Sequence, residues 1–128
     1  MKYYFNKTLN VQFEEVVENL KTELKKEGFG VLTEIDVKDT LKKKIDVDFK
    51  RYLILGACNL HFAHKALTHE DKIGVFLPCN VVIEEHEDGT VEVSSVDPVA
   101  SMSSVNNENL GILASEVQLK LRNVINGL

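Results

Sequence analysis

Two apolar stripes at helical spacing bracket this chain and leave few options for its fold. Phe13, Val16, Val17, Leu20 and Leu24 form the first; Leu110, Leu113, Val117, Leu121, Val124 and Leu128 form the second. Each stripe is one-sided, so each helix must bury that side against another layer. Between them lie short β-branched and alternating runs, the raw material of a sheet. The economical solution is a two-layer α/β (α+β) sandwich, a mainly antiparallel sheet with both long helices on one face. The other face then needs cover. Ile112 and Leu119 also fall off the second stripe, and together these features point to a homodimer.

The local signals give the boundaries. The first helix carries Glu14, Glu15 and Glu18 early and Lys21, Lys25 and Lys26 late, which complements its dipole, and Gly28 suits the left-handed residue that ends it. Asn10 has the chemistry to cap its start. Tyr3–Thr8 reads as a first strand, and Val31–Asp36 as a second with Val31, Thr33 and Ile35 on one face. Val37–Lys44 suits a short helix. Arg51–Cys58 is the most continuous apolar run and reads as a central strand, followed by a short helix that Asn59 caps. Thr68–Lys72 reads as a loop. Gly74–Glu85 reads as a long strand, with Pro78 at a bulge or an edge because it has no N–H to donate. Asp88-Gly89 marks a hairpin turn to Val91–Val96, and Glu116–Lys120 is spaced as an i,i+4 ion pair on the last helix.

Composition narrows the class. A chain of 128 residues fits one domain over residues 1–128. With 44% hydrophobic and 27% charged residues it has the balance of a globular protein, not a disordered one. No apolar run approaches the roughly 18 residues of a membrane span, and the start Met1-Lys2-Tyr3-Tyr4-Phe5 lacks the form of a signal peptide. A soluble, cytoplasmic protein is expected. The net charge of -5 argues against nucleic-acid or acidic-membrane partners.

The chemistry concentrates in two identical dipeptides, Cys58-Asn59 and Cys79-Asn80. Cys58 ends a strand where a helix begins, a position whose backbone N–H groups favour a thiolate. Cys79 follows Pro78, where a bulge would re-aim its side chain. If the two strands are neighbours, the thiols meet. By strict alternation, however, Cys79 shares a face with Val81 and Ile83, as a buried inert cysteine does. Cys58, His61 and His64 follow a C-x-x-H-x-x-H spacing, which with Cys79 would suit zinc or another thiophilic metal; solvated histidines on an amphipathic helix explain the same pattern. Lys42-Lys43-Lys44 is equally a phosphate contact or a solvated helix end. Phosphate-binding loops, the serine nucleophile elbow and a C-x-x-C pair are all absent from the sequence.

The segments Gly28–Val37 (GFGVLTEIDV), Leu41–Lys44 (LKKK), Leu55–Asn59 (LGACN) and Leu77–Val82 (LPCNVV) resemble the domain of unknown function 302 family, and Ala63, Ala66-Leu67, Gly74 and Asp97-Pro98 fit its pattern. The likeness runs over nearly the whole chain. It implies a two-layer sandwich resembling the TATA-binding-protein topology, assembled as a homodimer, and carries no settled activity. It also implies a shared ligand site at Cys58, Asn59, Pro78, Cys79 and Asn80. Leu60 departs from the proline usual after the first Cys-Asn, and His61 and His64 lie outside the pattern, so a zinc set using Cys58, Cys79 and His61 would be peculiar to this chain. The leading expectation is a non-enzymatic, homodimeric binding domain that holds a small ligand or soft metal ion near Cys58 and Cys79. The alternatives are an interaction module with core cysteines, and a redox or nucleophilic thiol enzyme.

Overall fold

A computed structural model describes residues 2–128. Five strands, β1 (Tyr4–Leu9), β2 (Gly30–Asp36), β3 (Tyr52–Cys58), β4 (Cys79–Glu85) and β5 (Val91–Val96), form one sheet in the order β1-β5-β4-β3-β2. Every neighbouring pair is antiparallel. The helices are α1 (Phe13–Lys26), α2 (Val37–Ile45), α3 (Leu60–His69), α4 (Pro98–Ser101) and α5 (Glu108–Asn126), with a 3₁₀ helix at Asp71–Phe76.

The two long helices lie side by side on one face, α1 over β4 and α5 over β1 and β5. Beneath them Leu55, Val81 and Ser95 make one cross-strand row, all buried, and Leu53, Ile83 and Val93 make the next. Leu20 and Leu24 of α1 and Leu121 and Val124 of α5 close the core from above. Burying a side chain of this size stabilises by roughly 1.5–3 kcal/mol, so this single layer accounts for the commitment to a two-layer fold. The α2 helix, by contrast, rests on β2 and β3 and buries none of its residues. Its lysines pair with Asp39, Asp46 and Asp48, the solvated helix end that Lys42–Lys44 suggested.

Several local expectations change. Thr68–Lys72 is not one loop, since α3 runs to His69 and the 3₁₀ helix begins at Asp71. The α1 helix starts from Gln12 with no side-chain cap, so Asn10 does not fill that role. Strand β2 carries an irregularity between Val31 and Thr33. Val31 and Glu34 therefore share the helix-facing side, where Glu34 meets Lys21, while Thr33 and Ile35 pair with outward-facing Gly56 and Ile54. Alternation cannot reveal a bulge, because one extra residue inverts every later position. The long strand over Gly74–Glu85 is shortened to Cys79–Glu85. Residues Asp71–Phe76 instead coil so that Ile73 buries against Ala66 and Leu110, and Pro78, which cannot donate, stands just before the ladder.

The end of α1 follows its sequence signal closely. Gly28 takes φ 84°, its N–H donates to the Lys25 carbonyl, and the Phe29 N–H donates to Leu24. This is the Schellman arrangement, with Phe29 buried as its apolar partner. The hairpin glycine Gly89 has a similar φ of 86° but open space around it. A Cβ on Gly28 would approach the Asn59 amide nitrogen to 2.9 Å. Gly89→Ala should therefore cost only the left-handed backbone term of about 1 kcal/mol, and Gly28→Ala visibly more. Urea unfolding of both variants measures this; equal losses would mean that the Asn59 contact is soft.

Candidate functional site

The β3–β4 pairing brings the two Cys-Asn dipeptides together. Ala57 lies opposite Cys79, which leaves Cys58 one residue along from that pair. Both cysteines are buried and free. Their roles differ: Cys79 belongs to the main core cluster with Val81 and Ile83, while Cys58 lies outside it. Burial pushes the Cys79 thiol up to about 11, with the neighbouring Cys58 adding to the rise. Burial also raises the Cys58 thiol. The helix start after Cys58 thus does not produce the activated thiolate its position suggested, because loss of solvation outweighs the helix N-terminus.

The two asparagines part company. Asn59 is buried and committed at both ends of its amide: Oδ1 accepts from the Phe62 N–H at 3.4 Å, and Nδ2 donates to the Glu27 carbonyl at 3.3 Å. It caps α3 and ties that helix to the corner where α1 turns into β2. Asn80 pairs with Gly56 on the outer face of the sheet and is exposed there. Pro78 packs against the same outer side, where a Cβ on Gly56 would come within 2.7 Å of its ring and 2.1 Å of the Thr33 hydroxyl. The expected five-residue site is therefore split by the sheet. Cys58, Asn59 and Cys79 line one cavity; Asn80 lines a separate depression with Tyr4, Tyr52 and Val82.

That first cavity is a narrow apolar cleft between the end of the sheet and the α3–α5 pair. Phe29, Ala57 and Cys79 form its floor, Phe62, Ala63 and Ala66 of α3 one wall, and Leu113, Ala114 and Val117 of α5 the other. Its volume is about 40 Å³, space for about three waters. Asn59 is its one amide. Beyond the second N–H of that amide, the polar hydrogens here belong to thiols, which are weak donors. Sequence reasoning found both cysteines but missed the α5 wall, because Leu113 and Val117 read simply as core.

The cleft does not suit a metal ion. His61 and His64 are exposed on α3. Among the described residues, the one group of three or more His, Cys, Asp or Glu ligand atoms lying within 4.8 Å of one another is Glu84, His86 and Glu92, which includes neither cysteine. Cys58, Cys79 and His61 thus do not assemble as a ligand set, and two thiols without a third donor make an incomplete zinc site. The Glu84–His86–Glu92 group is an ion-pair network already satisfied from within. His86 Nε2 lies 2.8 Å from Glu92, Asn6 donates to Glu92 at 2.5 Å, and Lys50 donates to Glu84 at 2.6 Å. The Asn6 and His86 contacts hold the Glu92 carboxyl below its usual range.

The raised Cys79 thiol has a consequence for stability at high pH. The unfolded chain loses this proton near 9, whereas the folded chain keeps it to about 11. Between those values the folded state binds more protons, so stability falls as pH rises through the window. The loss is on the order of 1–3 kcal/mol by pH 11. Cys79→Ala should flatten the profile relative to the parent between pH 9 and 11, measured by urea unfolding at each pH; an unchanged slope would show that Cys79 is solvated.

The comparisons agree with this fold. An uncharacterized protein of Aquifex aeolicus (strain VF5) is 32% identical over 94 residues, which is 73% of this chain and 59% of that protein. The chain thus spans about three-fifths of that relative's length. The crystal structure of an uncharacterized conserved DUF302 protein from Bacillus stearothermophilus superposes with a TM-score of 0.92 at 27% identity, covering 99% of this chain and 98% of that one. The model of the family described as domain of unknown function DUF302 matches residues 5–128. With the resemblance read from its Cys-Asn motifs now matched by fold and family model alike, the chain belongs to the DUF302 family.

Proposed function

We propose that this protein is a small-molecule binding domain whose ligand enters the cleft between α3 and α5 and rests against Cys58 and Cys79. The observation that carries this reading is the character of the cleft. It is lined almost wholly by apolar side chains and is bordered by both buried cysteines. Concave, mostly apolar sites with few polar groups are the usual form of a ligand pocket. This one is smaller than the several hundred Å³ typical of drug-sized ligands, so its occupant is small or opens the α3–α5 wall on entry. Protonated thiols support binding over redox or nucleophilic chemistry. Two free cysteines suit a reducing cytoplasm, and among the described residues no helix is long and apolar enough to cross a membrane.

Xenon, a neutral apolar probe, tests the cleft directly. Methyl resonances of Ala63, Leu113 and Val117 should shift with xenon pressure, and Ala63→Leu, which fills the cleft from its half-buried wall, should abolish those shifts while the fold is kept. Absence of any shift at these methyls in the parent protein would overturn the reading.

A second copy of the chain is the partner we propose for the outer sheet face. Tyr3, Ile35 and Phe49 are exposed and surround the half-buried Tyr52, Ile54 and Val82 on that side. Apolar side chains on this face, which α1 and α5 leave uncovered, favour self-association around the polar Asn80, Glu84, Glu92 and Ser94 that lie among them. Light scattering should give twice the 14.4 kDa chain mass, and Ile35→Lys with Val82→Lys should return it to one chain. A parent mass of one chain at high micromolar concentration would overturn this.

A further inference from the structure

Beside the cleft, on an aromatic residue of its wall, stand two unneutralised positive charges. Two cations share the Phe62 ring, which forms part of the cleft wall: the Lys65 Nζ lies 5.7 Å from its centroid and the Lys120 Nζ 5.9 Å. Neither ammonium has an anionic partner within 4.0 Å among the described residues. The i,i+4 pair that the sequence suggested between Glu116 and Lys120 does not form; Lys120 turns instead to the aromatic ring. A cation–π contact draws each ammonium toward Phe62 but leaves its charge unneutralised. In a chain of net charge -5 with carboxylates in excess, two lysines from different helices converge on one ring without recruiting any of them.

We infer that the ligand is amphipathic and anionic: a short-chain carboxylate whose hydrocarbon tail enters the apolar cleft and whose carboxylate meets Lys65 and Lys120. The inference rests on the cleft being a ligand site. Tail and head match separate features. The cleft interior offers apolar carbon, weak thiol donors and one amide, so it has no charge to match an anion. The two ammonium groups beside Phe62 offer the charge, and their flexible stems let them close over a carboxylate. The cleft volume of about 40 Å³ sets the tail at a few carbons.

Pentanoate and 1-pentanol share a tail and differ in the head, so they separate the two parts of the inference. Each is titrated by NMR into the parent protein and into Lys65→Gln/Lys120→Gln, which removes both charges and breaks no ion pair. Pentanoate should bind the parent about three- to tenfold more tightly than pentanol, and the double variant should erase that advantage while leaving pentanol unchanged. Equal affinities of the two ligands, or a pentanoate affinity indifferent to the double substitution, would overturn the anionic head and leave the cleft standing. If neither ligand binds while xenon enters, the carboxylate inference fails alone. If neither binds and xenon is also excluded, both readings fail.

Discussion

The pairing of β3 with β4 is the constraint on which the rest of this structure depends. It sets Leu55 against Val81 and Leu53 against Ile83, which supply the middle of the surface that α1 and α5 cover. The same register places Ala57 against Cys79 and so delivers both cysteines to the sheet end where the cleft lies. A slip of one residue would turn Cys79, Val81 and Ile83 outward and bring Asn80, Val82 and Glu84 under the helices. Core and site are therefore fixed by one ladder. No arrangement of the thiols can be changed without disturbing the packing beneath α1.

Asn59 extends that ladder into the helical layer. Its amide joins three elements at one point: the end of β3, the first turn of α3 and the Glu27 carbonyl just past α1. Gly28 permits the close approach because it has no Cβ there. Holding α3 at this angle creates the cleft, since the helix meets α5 through Ala66 and Leu110 instead of lying flat on the sheet. Small residues on the facing sides, Ala63, Ala66 and Ala114, leave the space between them. A residue that the dipeptide motif marks as a ligand contact thus acts as the hinge pin that shapes the ligand space.

Much of this was legible before any coordinates. The stripes of α1 and α5, the Gly28 stop, the Asp88-Gly89 turn and the Asn59 cap all follow from interactions within a few residues, and each appears where the pattern predicts. The missed features have a common cause. The bulge at Leu32 and the 3₁₀ turn at Asp71–Phe76 answer to distant packing: Ile73 is drawn under Leu110, far along the chain. Lys120 is another case, since Phe62 lies beyond the reach of any local rule and displaces the nearby Glu116. At the cysteines, spacing pointed to His61 and His64 as companions, but a helix start turned both histidines to solvent.

By itself, then, the sequence determined the layers and their chemistry. Amphipathic period decided which segments become helices and which face each must hide, and the two Cys-Asn repeats marked where unusual side chains lie. Only the tertiary structure decided that Asn59 and Asn80 stand on opposite faces of the sheet, that burial pushes both thiols up, that the two cysteines border a cleft with α5, and that two lysines meet its aromatic wall. The physical reason is range. Propensity and capping act over a handful of residues, whereas desolvation, register and the meeting of charges depend on which distant segments the whole core brings into contact.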